Sequence, residues 1–263
     1  MQSYNDKEQI QEFEKQITLL QEIGKKIIDL ENDIKRLELD MNIHINYAAK
    51  LFSLRQFTQL SAMFLLRDNE NIILISRSMF EGAVYLGSFV KEPILSENWR
   101  YYCLIVDQQR VDATTDKTEI LDEVTSFLNQ YKPIIDDFKK SNGEFYKTWT
   151  KGRTIKELSS IAQLEYFYKE YYSSMSDFHH WGTKSFGIRY KCLSQNIKEL
   201  LTAEIKLDCL NAWCMAISSI LCVLKILAIR SNDKKLKEDI SSLENEIQQI
   251  NALKTTSINY GNP

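Results

Sequence analysis

Proline and glycine are scarce in this chain, with three prolines and eight glycines in 263 residues. Sandwiches, barrels and βαβ units need that turn chemistry at many points, so its scarcity leaves helix as the default. No Asn-Gly or Asp-Gly hairpin is read between alternating strands, and no internal repeat is found. Strong charge of one sign is also missing: Lys+Arg 33 against Asp+Glu 36 gives a formal net charge of -3. No global basic field therefore advertises nucleic acid, although a local patch is compatible with that balance.

The five cysteines, at 103, 192, 209, 214 and 222, contain no Cys-x2-Cys pair and have no histidine at ligand spacing. Metal and disulfide readings both fail, and three cysteines on one apolar segment read as small buried hydrophobes in a reducing cytosol. A Walker loop, a Rossmann glycine pattern, a zinc motif and a nucleophile elbow are absent as well, which excludes the common nucleotide and dinucleotide enzymes. Neither a cofactor nor a metal is expected. The first residues, Met-Gln-Ser-Tyr-Asn-Asp-Lys-Glu, are polar and precede no apolar run, so no secretory signal is read and the expected compartment is cytoplasmic.

Hydrophobic residues make up 44% of the chain, enough to bury a full core. The pattern is that of an all-α helical bundle with long, coiled-coil-like helices at both ends. From Lys7 to Met41 an amphipathic helix is predicted on Ile10, Phe13, Ile17, Leu20, Ile23, Ile27, Leu30, Ile34, Leu37 and Met41. Its repeated three-residue step at Ile17, Leu20 and Ile23 lies beside Gly24. A second narrow seam, Leu236, Ile240, Leu243, Ile247 and Ile250, closes the chain. Each seam needs a partner: the other end of the same chain, a partner protein, or a second subunit in a homodimer.

Between the ends, Ala48 to Leu66 and Ile72 to Val90 are apolar on wide faces and read as core helices, with Asp68-Asn-Glu-Asn71 supplying an N-cap. A further helix is expected from Ser96. Another runs from Ile120 to Phe138 with an interruption at Pro133, and Thr154-Ile-Lys-Glu157 has the form of a capping box. Leu207 to Ile229 is apolar enough for a membrane check. Its cysteine- and alanine-rich middle, with Asp208 and Lys225, fits a central bundle helix better than a membrane span. The division expected is a terminal helix over 1–44, a bundle core over 45–230 and a C-terminal helix and tail over 231–263.

Two polar clusters stand out. Arg77-Ser-Met-Phe-Glu81 puts a guanidinium and a carboxylate on one face of an apolar helix. Ser176-Asp-Phe-His179-His180-Trp181 holds two of the chain's three histidines. Neighbouring helical residues point about 100° apart, so only one histidine readily faces Arg77 and Glu81. His179, which shares a face with Ser176, is the better candidate. Histidine to move protons and arginine to hold phosphate charge suit phosphoryl chemistry on RNA, with the 2′-hydroxyl as attacking group. In that reading His179, Arg77 and Glu81 are catalytic, and Arg100, Tyr171, Ser176 and His180 bind substrate. The bland reading is a structural i,i+4 ion pair and a satisfied histidine inside an interaction module.

Arg77-x3-Glu81, the Arg100-Tyr101 pair, Thr154-Ile-Lys-Glu157-Leu158, Tyr168-x2-Tyr171 and Ser176-x2-His179 together resemble a widespread bacterial family known as a domain of unknown function. The similarity spans about residues 45 to 230. That family is all-helical and is distantly similar to the HEPN-type bundles of toxin and abortive-infection ribonucleases, in which an arginine followed four to six residues later by histidine cuts RNA. The resemblance implies a bacterial defence or toxin-type effector. The chain departs from the pattern, since neither Arg77 nor Arg189 has a histidine at that spacing. Arg77 and His179 would have to converge from separate helices.

Overall fold

The computed structural model describes residues 6–67, 69–114, 119–173, 175, 187, 190, 193–194 and 198–249. These form an all-α bundle with no strand among the described residues. The helices are α1 (Asp6–Asp29), α2 (Glu31–Arg36), α3 (His44–Leu66), α4 (Ile72–Lys91), α5 (Ile94–Ala113), α6 (Glu119–Gln130), α7 (Lys132–Asp137), α8 (Ile155–Ile161), α9 (Glu165–Phe167), α10 (Lys198–Ser231) and α11 (Lys234–Gln249).

Helix α10 is the axis, packing on α4, α1 and α3. Trp213, Ile217, Ile220, Val223, Leu224 and Leu227 are all fully buried, so the helix is apolar nearly all round because protein surrounds it. That burial also accounts for its three internal cysteines, Cys209, Cys214 and Cys222, which lie inside the core outside any disulfide, whereas Cys103 is exposed. Both α4 and the stretch Leu201–Ser231 are long and apolar enough to cross a bilayer, and most of each is buried within the bundle.

The terminal seams find partners within the chain. Ile17, Leu20, Ile23 and Ile27 of α1 and Leu236, Ile240 and Leu243 of α11 lie in the same buried core as α4 and α10. Lys26 pairs with Glu246 at 2.5 Å and Asp33 with Lys235 at 2.7 Å, which ties α1 and α2 to α11. Gly24 allows the close approach its surroundings require, since a Cβ there would lie 3.0 Å from the Phe64 ring. The N-terminal helix is shorter than its pattern predicts: it breaks after Asp29, and α2 ends at Arg36 rather than reaching Met41. The Lys50 ammonium donates to the carbonyls of Ile34, Lys35 and Leu37 at 2.5, 3.0 and 2.9 Å. A cation from the next helix thus satisfies the last turn, and continuing the helix would take those carbonyls away.

Other boundaries follow local chemistry. The capping box at Thr154 and Glu157 forms as predicted. Asn71 does not cap α4 with its side chain; instead Asn69 Oδ1 accepts from the Asn71 amide at 2.9 Å. Helix α5 begins at Ile94, directly after Pro93, and Ser96 sits inside it donating to the Pro93 carbonyl at 2.6 Å. Pro133 falls in the first turn of α7, where its missing N–H is not needed. The loop at Lys140–Gly143 is a tight turn with Gly143 at φ 83°, closing an isolated antiparallel bridge between Lys139 and Phe145. Asn142-Gly143 therefore does make a miniature hairpin, contrary to the expectation of none. A smaller cluster of Leu104, Ile105, Leu128, Ile135 and Phe138 packs α6 and α7 onto α5, beside the main core.

Candidate functional site

Helix α4 carries Arg77 and Glu81 one turn apart, with Arg77 Nε 3.3 Å from Glu81 Oε1. The apolar neighbours Ile73, Met79, Phe80 and Val84 fix the helix against the core and leave this pair on its edge. The element that meets it is a π-helical turn, Tyr168–Tyr172, continuing α9. Such a turn inserts one residue into the helical ladder and shifts the phase of the residues after it. Here it delivers Tyr172 to α4, where its ring lies 5.3 Å from that of Phe80 and 5.3 Å from Tyr168.

The Tyr172 hydroxyl joins the two charges. It accepts from Arg77 Nη2 at 2.9 Å and donates to Glu81 Oε1 at 2.6 Å. The guanidinium also rests over the Tyr172 ring, 4.8 Å from its centre. Burial, followed by the Glu81 carboxylate, raises the Tyr172 phenol well above its ordinary range, and Arg77 opposes the shift. Tyr172 is therefore held as a protonated donor. Arg77 Nη1 and Nε are buried and have no hydrogen-bond partner among the described residues. The Nε–Glu81 contact is thus an ion pair at close range without hydrogen-bond alignment.

Glu81 looks two ways. Its other side opens on a groove of about 310 Å³ between α3, α4 and α5, shared with Gln56, Tyr85 and Trp99. On the Arg77 side, Met175 packs next to α4, where Ser76 Oγ donates to its sulfur at 3.7 Å.

Of the residues expected at the site, Arg77 and Glu81 meet as predicted, while Arg100 and Tyr171 are not brought to them. Arg100 donates to the Met41 carbonyl at 2.9 Å and lies over the Tyr47 ring, 4.5 Å from its centre, bracing the turn before α3. Tyr171 packs on the main core, and burial together with the nearby Cys214 thiol pushes its phenol up to about 12. Ser176, His179 and His180, with Asp177 and Trp181, lie outside the described residues.

Tyr172 belongs to the run of aromatics whose helical spacing suits base stacking or, more commonly, core packing, and nothing in that spacing points to its hydroxyl as the bridge between Arg77 and Glu81. No group of three or more His, Cys, Asp or Glu able to hold a metal occurs among the described residues. No family model, no curated protein and no solved structure matches the chain.

Proposed function

We propose that the chain is an RNA-directed effector of the bacterial defence or toxin type, a metal-independent ribonuclease centred on Arg77, Glu81 and Tyr172. The observation that supports this reading best is the docking of Tyr172 and Met175 on α4 at Arg77, Glu81 and Ser76. His179 follows Met175 by four positions. In the proposed reaction His179 takes the proton of a ribose 2′-hydroxyl, whose oxygen attacks the adjacent phosphorus. The bond from phosphorus to the 5′-oxygen breaks, and that oxygen takes a proton from the histidinium. The products are a 2′,3′-cyclic phosphate and a 5′-hydroxyl end. Arg77, with donors unused by Tyr172, holds the charge that develops on the phosphate, while Glu81 and Tyr172 fix the guanidinium.

Incubating the full chain with single-stranded RNA, with and without EDTA, tests this directly. Cleavage that survives EDTA and is lost in His179→Ala at an unchanged thermal midpoint supports it; a wild-type chain that leaves RNA intact at stoichiometric concentration overturns it. A cytoplasmic location and a homodimeric state belong to the same proposal. A strictly monomeric light-scattering profile across concentrations counts against the second.

One observation favours a second reading. The Tyr172 hydroxyl saturates the space between Arg77 and Glu81, as a purely structural lock in a non-enzymatic interaction module would. Under it, His179→Ala costs stability and there is no cleavage to lose.

A further inference from the structure

The groove on the far side of Glu81 has a composition of its own. Its walls are aromatic, from Phe52, Tyr85 and Trp99, and its polar groups include acceptors: the Glu81 carboxylate and the Gln56 amide. Gln56 is 2% exposed. It crosses from α3 to α4 at Gly82, where a Cβ would lie 3.1 Å from its Nε2, and donates to the Met79 carbonyl at 2.7 Å. Its Oε1 is buried and accepts nothing among the described residues. A buried acceptor without a donor is costly and is rarely left so unless something else supplies the donor.

Glu81 is the accessible acceptor, its side chain 31% exposed. Tyr172 and Arg77 engage only Oε1, and a carboxylate has room for several hydrogen bonds. At the rim stands Arg55, exposed and without an ion pair or hydrogen bond among the described residues.

These features call for a flat ring that carries adjacent donors on one edge and an anion beyond it. Guanine is the RNA base whose pairing edge offers N–H and NH₂ side by side to a carboxylate; adenine and cytosine offer one amino group beside an acceptor, and uracil one N–H between two acceptors. A plain organic cation would meet the exposed Arg55 at the rim and be repelled. The volume of about 310 Å³ is at the small end for ligand sites and suits one base.

We propose that this groove binds the guanine base of a ribonucleotide, with Glu81 accepting from N1–H and the 2-amino group, the aromatic walls stacking the ring, and Arg55 holding the attached phosphate. The choice of a ribonucleotide rests on the RNA reading above; binding itself does not require cleavage.

Calorimetric titration of the full chain with 3′-GMP, 3′-AMP, 3′-CMP, 3′-UMP and guanosine tests the assignment. A bidentate base contact discriminates by roughly 5- to 150-fold, so 3′-GMP is expected to bind at least about fivefold tighter than the other nucleotides. Glu81→Gln should remove that preference. Arg55→Ala, at an exposed position, should weaken 3′-GMP and leave guanosine unchanged. Equal binding of all four nucleotides, no binding of 3′-GMP at millimolar concentration, or a preference that survives in a folded Glu81→Gln each overturns the proposal. Should Glu81→Gln fail to fold, Arg55→Ala still decides, because undiminished 3′-GMP binding there refutes the phosphate contact. Guanine-selective binding without RNA cleavage would keep the groove and sink the ribonuclease; cleavage without base preference would do the reverse.

Discussion

Replacing Tyr172 by Phe removes one oxygen and nothing else. The ring keeps its contacts with Phe80 and Tyr168 and its place beneath the Arg77 guanidinium. What disappears is the bridge, a bond accepted from Arg77 at 2.9 Å and one donated to Glu81 at 2.6 Å. A hydrogen bond to a charged group contributes about 1.5–3 kcal/mol. Two are lost, but Arg77 and Glu81 already lie 3.3 Å apart and can tighten into a direct pair that recovers part of the loss. The expected cost is therefore about 2–3 kcal/mol, below the ~3–5 kcal/mol of deleting a buried aromatic ring. Urea unfolding followed by circular dichroism measures it as a lowered midpoint at an unchanged slope. A loss below ~0.5 kcal/mol, the lower bound for a single net hydrogen bond, would refute the view that this hydroxyl organises the two charges. The pair would then be held by α4 alone.

Other outcomes rest on the same structure. Burial raises the phenols of Tyr85, Tyr171 and Tyr172 in the folded chain, so above pH ~10 the unfolded chain loses those protons first. Their stabilising contribution is complete below that pH and falls as pH rises toward about 12, the value for Tyr171; an alkaline stability curve flat to pH 12 would contradict it. Cys214, buried with its thiol pushed up to about 12, should resist iodoacetamide near neutral pH while exposed Cys103 reacts, as peptide mass mapping would show. Lys50→Met strips three carbonyls of their donor and should cost about 2 kcal/mol with loss of α2, whereas Thr154→Ala should cost about 1 kcal/mol; both are read from urea midpoints.

How much of this could be read from the chain depends on whether the signal was local. Helices α3, α4 and α10 are announced by wide apolar faces, and the capping box at Thr154 and Glu157 is complete within four residues, so both were legible. The end of α2 was not, because the group that stops it, Lys50, comes from the following helix. Arg77 and Glu81 share a face by spacing alone. Tyr172 reaches them only through a π turn, a departure from the 3.6-residue period that no pattern of tyrosines declares. Gln56 looks like any polar residue on a helix until Gly82 opens the path that buries it.

If Arg77, Glu81 and Tyr172 anchor a site that cuts RNA with a histidine from the following segment, the cut ends carry its signature. Sequencing the ends left on a single-stranded RNA treated with the full chain in EDTA, alongside His179→Ala of equal thermal stability, reads that signature. The expected result is 2′,3′-cyclic phosphate ends with the wild type and intact RNA with the variant. Intact RNA with both, or equal cleavage by both, would contradict the ribonuclease reading.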